Sequence, residues 1–226
     1  MLAERTSRTL GAQRSRVAGL YAVTPECADT PRLLTRVVAA VEGGAMLVQY
    51  RNKTLDAASR EAQARALAAT PAIRRALLIV NDDPGLARAV DADGVHLGDD
   101  DASIPEARAR VGPDRLVGVS CYDDFERARA AVAAGADYVA FGSFFPSPVK
   151  PNARRAPIDL LRRARTLGVP VVAIGGITAA NAATLIGAGA DALAVISDVF
   201  AHDAPADVMR AAAAIARQFA RSQESA

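Results

Sequence analysis

The feature that most constrains the fold is a strand-and-helix unit that recurs along this chain of 226 residues. Short runs rich in Val, Leu and Ile alternate with longer segments rich in Ala and Arg, in which apolar residues recur at helical spacing. The runs predict eight strands: Leu20–Thr24, Met46–Arg51, Leu77–Asn81, Gly94–Leu97, Leu116–Ser120, Tyr138–Gly142, Val171–Gly175 and Ala192–Ser197. Eight such units in one chain favour a closed (β/α)8 TIM barrel. A doubly wound open sheet is less favoured, because no G-x-G-x-x-G motif follows the first strand.

The segments between the strands carry the signals of helix ends. The predicted helices are Pro31–Val41, Ala57–Ala69, Phe125–Ala134, Ile158–Leu167, Ala180–Gly187 and Ala206–Ala220. Asp83 stands at a predicted N-cap before Pro84, and Ser103 with Glu106 forms a predicted capping box. Two turns repeat the tripeptide Gly-Ala-Asp, at 135–137 and 189–191, as an internal echo of one unit.

Composition narrows the class of protein. Hydrophobic residues make up 51% of the chain but aromatic residues only 4%, so the predicted core consists of Ala, Val, Leu and Ile. The 27 basic and 25 acidic residues are mixed along the chain, which argues against binding to nucleic acid. No apolar run is long enough to cross a membrane. We expect one barrel domain over 18–221, a flexible N-terminal tail over 1–17 and a C-terminal tail over 222–226. A homo-oligomer is compatible with the sequence.

The two cysteines, Cys27 and Cys121, lie far apart and form no CxxC motif. Isolated thiols fit a reducing compartment better than a disulfide framework. We therefore expect a cytoplasmic protein.

Only two basic residues are lysines, Lys53 and Lys150, and each follows an apolar run. Lysine is a compact, rotatable charge suited to phosphate groups. Gln49, Arg51 and Lys53 alternate at the end of the second predicted strand, so an extended backbone would point all three to one side. Arginine with lysine suits a diphosphate, and a solvated polar loop is the alternative.

Carboxylates follow the next two strands. Asp82 comes directly after the third strand, and Asp101 lies in an acidic run after the fourth. Carboxylates from two neighbouring loops are ligands that Mg²⁺ accepts, with water and phosphate oxygens completing the octahedron. A solvated acidic loop is the alternative, and the basic residues nearby favour the metal. His96 alternates with apolar residues, so we expect it to be packed and hydrogen-bonded.

The last two strands predict a second anion site. Gly175 and Gly176 follow the seventh strand, and Ser197 ends the eighth. The loops after strands seven and eight are the usual phosphate site of a TIM barrel. Two anion sites at one barrel mouth imply two phosphorylated small-molecule substrates.

These motifs together resemble those of the thiamine phosphate synthase family, from Leu20 to about Ala220. The matching segments are 49–53 (QYRNK), 81–83 (NDD), 94–98 (GVHLG) with Asp101, 118–120 (GVS), 146–150, 174–177 (IGGI) and 195–197 (VIS). The resemblance implies a Mg²⁺-dependent transferase that joins a hydroxymethylpyrimidine diphosphate to a thiazole phosphate and releases pyrophosphate.

The resemblance also implies the residues of both substrate sites. The pyrimidine diphosphate would be held by Gln49, Tyr50, Arg51, Asn52, Lys53, Asn81, Ser120 and Lys150, with Arg51, Lys53, Ser120 and Lys150 acting in catalysis. Mg²⁺ would be held by Asp82 and Asp101. The thiazole phosphate would be held by Ser147, Pro148, Val149, Gly176, Ile196 and Ser197.

Two other functions are compatible with a barrel of this kind. One is a thiazole tautomerase-like isomerase with the same barrel, which lacks the diphosphate site; Arg51, Lys53, Asn81, Asp82 and Lys150 argue against it. The other is a non-catalytic sensor of phosphorylated ligands, in which paired metal carboxylates would have no purpose.

Overall fold

The computed structural model describes residues 16–99, 101–146 and 154–224, and its strands form a closed parallel barrel in sequence order. The strands of these described residues are β1 Gly19–Val23, β2 Ala45–Tyr50, β3 Leu77–Asn81, β4 Gly94–Leu97, β5 Leu116–Tyr122, β6 Tyr138–Phe141, β7 Val171–Ile174 and β8 Ala192–Val195. β1 pairs with both β2 and β8, which closes the ring and confirms the predicted TIM barrel. The predicted tail at 1–17 lies mostly outside the described residues, whereas residues 222–224 of the predicted tail at 222–226 continue the last helix.

Helices cover the outside of the barrel. Those of the described residues are α1 Thr30–Glu42, α2 Ala57–Ala69, α3 Pro84–Ala89, α4 Ile104–Val111, α5 Phe125–Ala133, α6 Asp159–Ala164, α7 Ala182–Gly187, α8 Ser197–Phe200 and α9 Pro205–Glu224. The Asp83 carboxylate accepts from the backbone N–H of Leu86, and Ser103 with Glu106 forms the capping box, so both predicted caps are confirmed. None of the described helices is long and apolar enough to span a membrane.

The chain after β8 differs from the prediction. The eighth strand was expected to run to Ser197, but it ends at Val195 and Ser197 begins α8. Ile196 has a helical backbone conformation, which ends the strand. The Asp198 carboxylate accepts from the backbone N–H of Ala179, so α8 is tied to the loop after β7.

The strand residues separate into two apolar layers by alternation. Inward-pointing side chains fill the barrel, among them Tyr21, Leu47, Ile79 and Tyr138. Outward-pointing side chains pack with the helices in a larger cluster built mainly of Ala, Val and Leu. The interior therefore contains two of the few aromatic residues in the chain, and their hydroxyl groups must find partners there.

Aspartates hold the opposite, N-terminal end of the barrel. Asp93, Asp137 and Asp191 each stand before an even-numbered strand, and each carboxylate accepts from the backbone N–H at the start of the preceding strand, at 2.7–2.8 Å. Asp137 and Asp191 belong to the two Gly-Ala-Asp turns. The hydrogen bond from the preceding strand to each of these carboxylates is therefore the structural reason for the repeated tripeptide.

Candidate active site

All strands of the barrel are parallel, so the residues at their C-terminal ends meet at one mouth. At the end of β2 the guanidinium of Arg51 lies 2.5 Å from a carboxylate oxygen of Glu26. The other Glu26 oxygen accepts from the backbone N–H of Lys53 at 2.8 Å. Buried Thr24 exchanges two hydrogen bonds with the backbone of Arg51. The loop after β1 thus orients both basic residues, and sequence reasoning missed Thr24 and Glu26 because neither stands in a recognisable pattern.

Lys53 and the two predicted metal carboxylates form one cluster, the mouth cluster of Lys53, Asp82 and Asp101. The ammonium of Lys53 lies 2.7 Å from Asp82. The carboxyl groups of Asp82 and Asp101 both face Gly98, where a Cβ would lie 3.0 Å from Oδ2 of Asp101 and 3.9 Å from Oδ1 of Asp82, so the two groups are neighbours. The backbone N–H of Gly98 donates to Asp101 at 2.5 Å. The structure therefore brings together carboxylates that stand after different strands.

The two carboxyl groups of the mouth cluster have opposite pKa shifts. Burial raises the pKa of Asp101, and the hydrogen bond with Asp82 adds to the rise. Burial acts in the same direction on Asp82, but hydrogen bonds from Lys53 and Asp101 outweigh it and lower the pKa of Asp82. Two carboxylates this close disfavour each other's ionised form, and the ammonium of Lys53 favours the ionised form of Asp82, so the two pKa shifts have opposite signs.

A line of hydrogen-bonded side chains crosses the barrel just beneath the mouth. We call it the interior chain; in order its members are Gln49, Tyr21, Tyr138, His96 and Ser120, joined by contacts of 2.9–3.0 Å. Burial lowers the pKa of His96 to about 4, so the imidazole is neutral near pH 7. The expectation of a packed, hydrogen-bonded histidine is confirmed.

Asn81 ends β3 and pairs in register with His96 on β4. Since Ile79 points into the barrel, alternation directs Asn81 toward the same interior. Asn81 thus stands on β3 beside the interior chain, whose two end members, Gln49 and Ser120, stand on β2 and β5.

Two predicted ligand residues lie elsewhere. Tyr50 points outward from β2, and its hydroxyl donates to the side-chain oxygen of Gln63 on α2 at 3.0 Å. Asn52 is also buried; its amide donates to the backbone oxygen of Cys27 and to Gln63. The structure does not bring either side chain to the barrel mouth. Alternation along β2 turns Tyr50 outward, and the hydrogen bonds of Asn52 hold the loop after β2 against Cys27 and Gln63.

A cavity of about 310 Å³ lies at the ends of β7 and β8. The predicted thiazole phosphate residues Gly176, Ile196 and Ser197 line it, together with Pro146, Thr178, Asp198 and His202. Gly176 has a φ of +63°, and a Cβ there would lie 2.3 Å from the backbone oxygen of Pro146. Glycine is therefore required for this turn. His202 was not predicted, because it stands five residues beyond the strand-end motif.

The predicted residues Ser147, Pro148, Val149 and Lys150 lie outside the described residues. The described residues contain no group of three or more His, Cys, Asp or Glu side chains that could hold a metal by themselves.

Comparison with known proteins identifies relatives over most of the chain. The profile of the family described as thiamine monophosphate synthase matches residues 20–199. A thiamine-phosphate synthase of Thiobacillus denitrificans is 60% identical over 207 residues, which cover 91% of this chain and 97% of that protein. One from Azoarcus sp. is 55% identical over 206 residues, covering 91% and 98%. A solved structure of thiamine phosphate pyrophosphorylase from Pyrococcus furiosus aligns with a TM-score of 0.79 at 33% identity, covering 93% of this chain and 98% of that one.

Proposed function

The chain belongs to the thiamine monophosphate synthase family, and we propose that it joins its two phosphorylated substrates at the barrel mouth with a Mg²⁺ ion held by Asp82 and Asp101. Its activity is that of a thiamine-phosphate synthase. The ring nitrogen of a thiazole phosphate forms a bond to the methylene carbon of a pyrimidine diphosphate. The bond from that carbon to oxygen breaks, and pyrophosphate leaves with the electron pair. The sequence identity of 60% and 55% to two thiamine-phosphate synthases argues against the isomerase and sensor alternatives.

The mouth cluster is the observation that carries the Mg²⁺ proposal. It offers two neighbouring carboxylates, which are hard oxygen ligands, and a cation between them would offset the repulsion that raises the pKa of Asp101. Since the described residues supply no third acidic or imidazole ligand, water and diphosphate oxygens would complete the coordination. When bound, Mg²⁺ would offset the charge that develops on the departing diphosphate.

The basic residues act on the same diphosphate. Arg51 is oriented by Glu26, and Lys53 reaches Asp82 from the same loop, so their positive charges are positioned before the substrate arrives. Preorganised charges of this kind stabilise a leaving group more than solvent does. The electron-rich aminopyrimidine shares the positive charge on its methylene carbon as the diphosphate departs. The path is therefore dissociative and needs no protein nucleophile.

The thiazole phosphate takes the cavity at β7 and β8. Gly176 allows the turn that lines the cavity after β7, and Ile196 and Ser197 line the cavity from the end of β8. Ser147, Pro148, Val149 and Lys150 remain predicted contacts. The cavity and the mouth cluster share one barrel end, which supports direct transfer between the two substrates.

We also propose a cytoplasmic location. Cys27 and Cys121 are both free in the structure, which suits a reducing compartment. Nucleic acid is not expected as a partner, because basic and acidic residues are nearly balanced.

The test mixes both substrates with the full chain, with Mg²⁺ or with a chelator, and measures pyrophosphate and thiamine phosphate. We expect product only with the metal. Asp82→Asn and Asp101→Asn should lower kcat by roughly 10²-fold or more, and should weaken Mn²⁺ binding measured by electron paramagnetic resonance. Asparagine is the appropriate replacement at 82, because the backbone there has a φ of +64°, which asparagine tolerates.

Asp99→Asn is the matched control. Asp99 lies in the same acidic loop, but it is exposed and pairs with Arg127 on α5. We expect the activity of the Asp99→Asn variant to stay within about twofold of that of the unmodified chain, since an exposed ion pair contributes little to stability. A normal metal response in Asp82→Asn, or product formation in the chelator, would remove the metal from this site.

A further inference from the structure

We propose that the interior chain runs in one direction, so that Gln49 presents its amide oxygen and Ser120 its hydroxyl proton to the barrel mouth. Tyr21, Tyr138 and His96 are then positioning residues that fix which end of the chain accepts a hydrogen bond and which end donates one.

The direction follows from the first contact. The amide nitrogen of Gln49 lies 2.9 Å from the hydroxyl oxygen of Tyr21, so this oxygen accepts a proton from the amide. The proton of Tyr21 then needs an acceptor, and the oxygen of Tyr138 at 3.0 Å is the one that the described residues provide. Tyr138 in turn donates to Nδ1 of His96 at 3.0 Å.

The histidine passes the direction on. An imidazole that accepts at Nδ1 and is neutral carries its proton on Nε2. Nε2 lies 2.9 Å from Oγ of Ser120 and therefore donates to it. The hydroxyl proton of Ser120 is left to point elsewhere. With the Gln49 amide in this orientation, the opposite direction would make Tyr21 accept two protons and would leave its own proton without an acceptor among the described residues. Leaving such a buried donor unpaired costs about 1–3 kcal/mol.

Burial keeps the members of the chain uncharged. Burial raises the pKa of Tyr138 far above its ordinary value, and it also raises that of Tyr21 against the lowering effect of their hydrogen bonds. Both phenols therefore keep their protons. Each phenol and the neutral imidazole then have one proton to donate. Because each of them can donate only once, all hydrogen bonds of the interior chain must run in the same direction.

The two ends match the two parts of the pyrimidine substrate, and this step rests on the proposed function. The exocyclic amino group of an aminopyrimidine donates hydrogen bonds, so it fits the amide oxygen of Gln49. Diphosphate oxygens only accept, so they fit the hydroxyl proton of Ser120. The same arrangement disfavours a ring with an oxo group in place of the amino group, because two acceptors would then face each other.

The first experiment needs no substrate. Long-range ¹H–¹⁵N correlation spectra of the unliganded chain at pH 7.5 report which nitrogen of a neutral imidazole carries the proton. His202→Gln, which leaves His96 as the single histidine, assigns the signals. We expect the proton of His96 on Nε2. A proton on Nδ1 would mean that the chain runs the other way, with the Gln49 amide turned over, and would overturn the proposal.

The second experiment measures selectivity as the ratio of kcat/KM for the amino substrate to that for its oxo analogue. We expect a ratio of about 10² or more in the unmodified chain, as is typical where a site must pair with a particular hydrogen-bonding group. The Tyr138→Phe variant lacks the hydroxyl that accepts the proton of Tyr21. That proton then has an acceptor only if the Gln49 amide turns its oxygen toward Tyr21. The amide NH₂ then faces the mouth and fits the oxo group, so we expect the ratio to fall about tenfold or more.

Tyr50→Phe is the matched control for this ratio. It removes a buried tyrosine hydroxyl on the outer side of β2, which lies outside the interior chain. We expect its ratio to equal that of the unmodified chain. An unchanged ratio in Tyr138→Phe, or an equal fall in both variants, would overturn the proposal. If the unmodified chain forms no product from the amino substrate, the proposed function fails, while the spectra still decide the direction of the interior chain.

Discussion

His96 illustrates what a single residue contributes at this site. Both ring nitrogens meet hydroxyl groups, those of Tyr138 and Ser120, and the ring stacks against Tyr138 with centroids 5.5 Å apart. Its sequence neighbours predicted burial correctly, because apolar residues flank it on a strand. Its partners could not be predicted, because Tyr138 and Ser120 lie 42 and 24 residues away and only barrel closure brings them together.

The low pKa of His96 predicts a loss of stability in acid. In the unfolded chain the imidazole binds a proton below its ordinary pKa of 6.5, whereas burial holds the folded pKa near 4. The unfolded state therefore binds more protons between these values, and stability falls as pH falls from 6.5 toward 4. The shift corresponds to a loss of about 3 kcal/mol over this range.

Urea unfolding at pH 7 and pH 4.5 measures this loss. His96→Gln should be less stable at pH 7 but should lose less stability on acidification, because glutamine does not titrate. His202→Gln is the control, since it removes an exposed histidine, and should retain the acid loss of the unmodified chain. Equal acid losses in the two variants would contradict the assignment to His96.

At the scale of elements, strand β5 accommodates the interior chain through one glycine. A Cβ at Gly118 would lie 1.9 Å from Cζ of the Tyr138 ring. The missing side chain on β5 thus makes room for the aromatic ring on β6, which then reaches Tyr21 and His96. The small residue and the large one are a complementary pair across neighbouring strands.

Gly118→Ala should therefore displace the Tyr138 ring. We expect a loss of about 1–3 kcal/mol in the free energy of unfolding, which is typical of overpacking in a core, together with weaker binding of the pyrimidine substrate. Gly187→Ala is the control, because a Cβ at this position in α7 meets nothing within 4 Å. It should be neutral or stabilising by up to about 1 kcal/mol. Urea unfolding measures the stability of both variants. Equal stabilities would show that the Tyr138 ring moves aside for the added methyl group at no cost, which would contradict the close fit.

Strand positions were predictable to within about two residues, because each apolar run is bounded by turn residues. Side-chain direction near the strand ends was less predictable. Reading residues 49, 51 and 53 as one face assumes an extended backbone beyond Tyr50, where β2 ends. Arg51 and Lys53 are instead placed by Glu26 in the loop after β1. Helix α8 was missed because Ile196 continues an apolar run, although its backbone is already helical.

At the scale of the whole molecule, the two ends of the barrel have separate tasks. The mouth collects charged groups from several strand ends, such as Lys53, Asp82 and Asp101. The opposite end uses its aspartates to join strands, through Asp93, Asp137 and Asp191. The sequence predicted Asp82 and Asp101 as strand-end aspartates and Asp137 and Asp191 as turn aspartates, but their different roles depend on which end of the barrel each occupies.

This division predicts that replacing an aspartate at the N-terminal end lowers stability and leaves catalysis intact. The carboxylate of Asp137 accepts from the backbone N–H of Val117 at 2.7 Å and pairs with Arg108 at 2.5 Å, in a partly buried position. Asp137→Asn weakens both interactions. We expect a loss of about 2 kcal/mol in the free energy of unfolding, the range for hydrogen bonds to charged groups, with kcat and both KM values unchanged.

Asp159→Asn provides the comparison at an exposed site. Asp159 pairs with Arg162 on the surface of α6, and an ion pair of this kind contributes about 0.5 kcal/mol or less. Urea unfolding should therefore separate the two variants clearly, while steady-state kinetics should not separate either one from the unmodified chain. If Asp137→Asn lowered kcat without lowering stability, the N-terminal end would be coupled to the chemistry at the mouth, and the division between the two ends would be wrong.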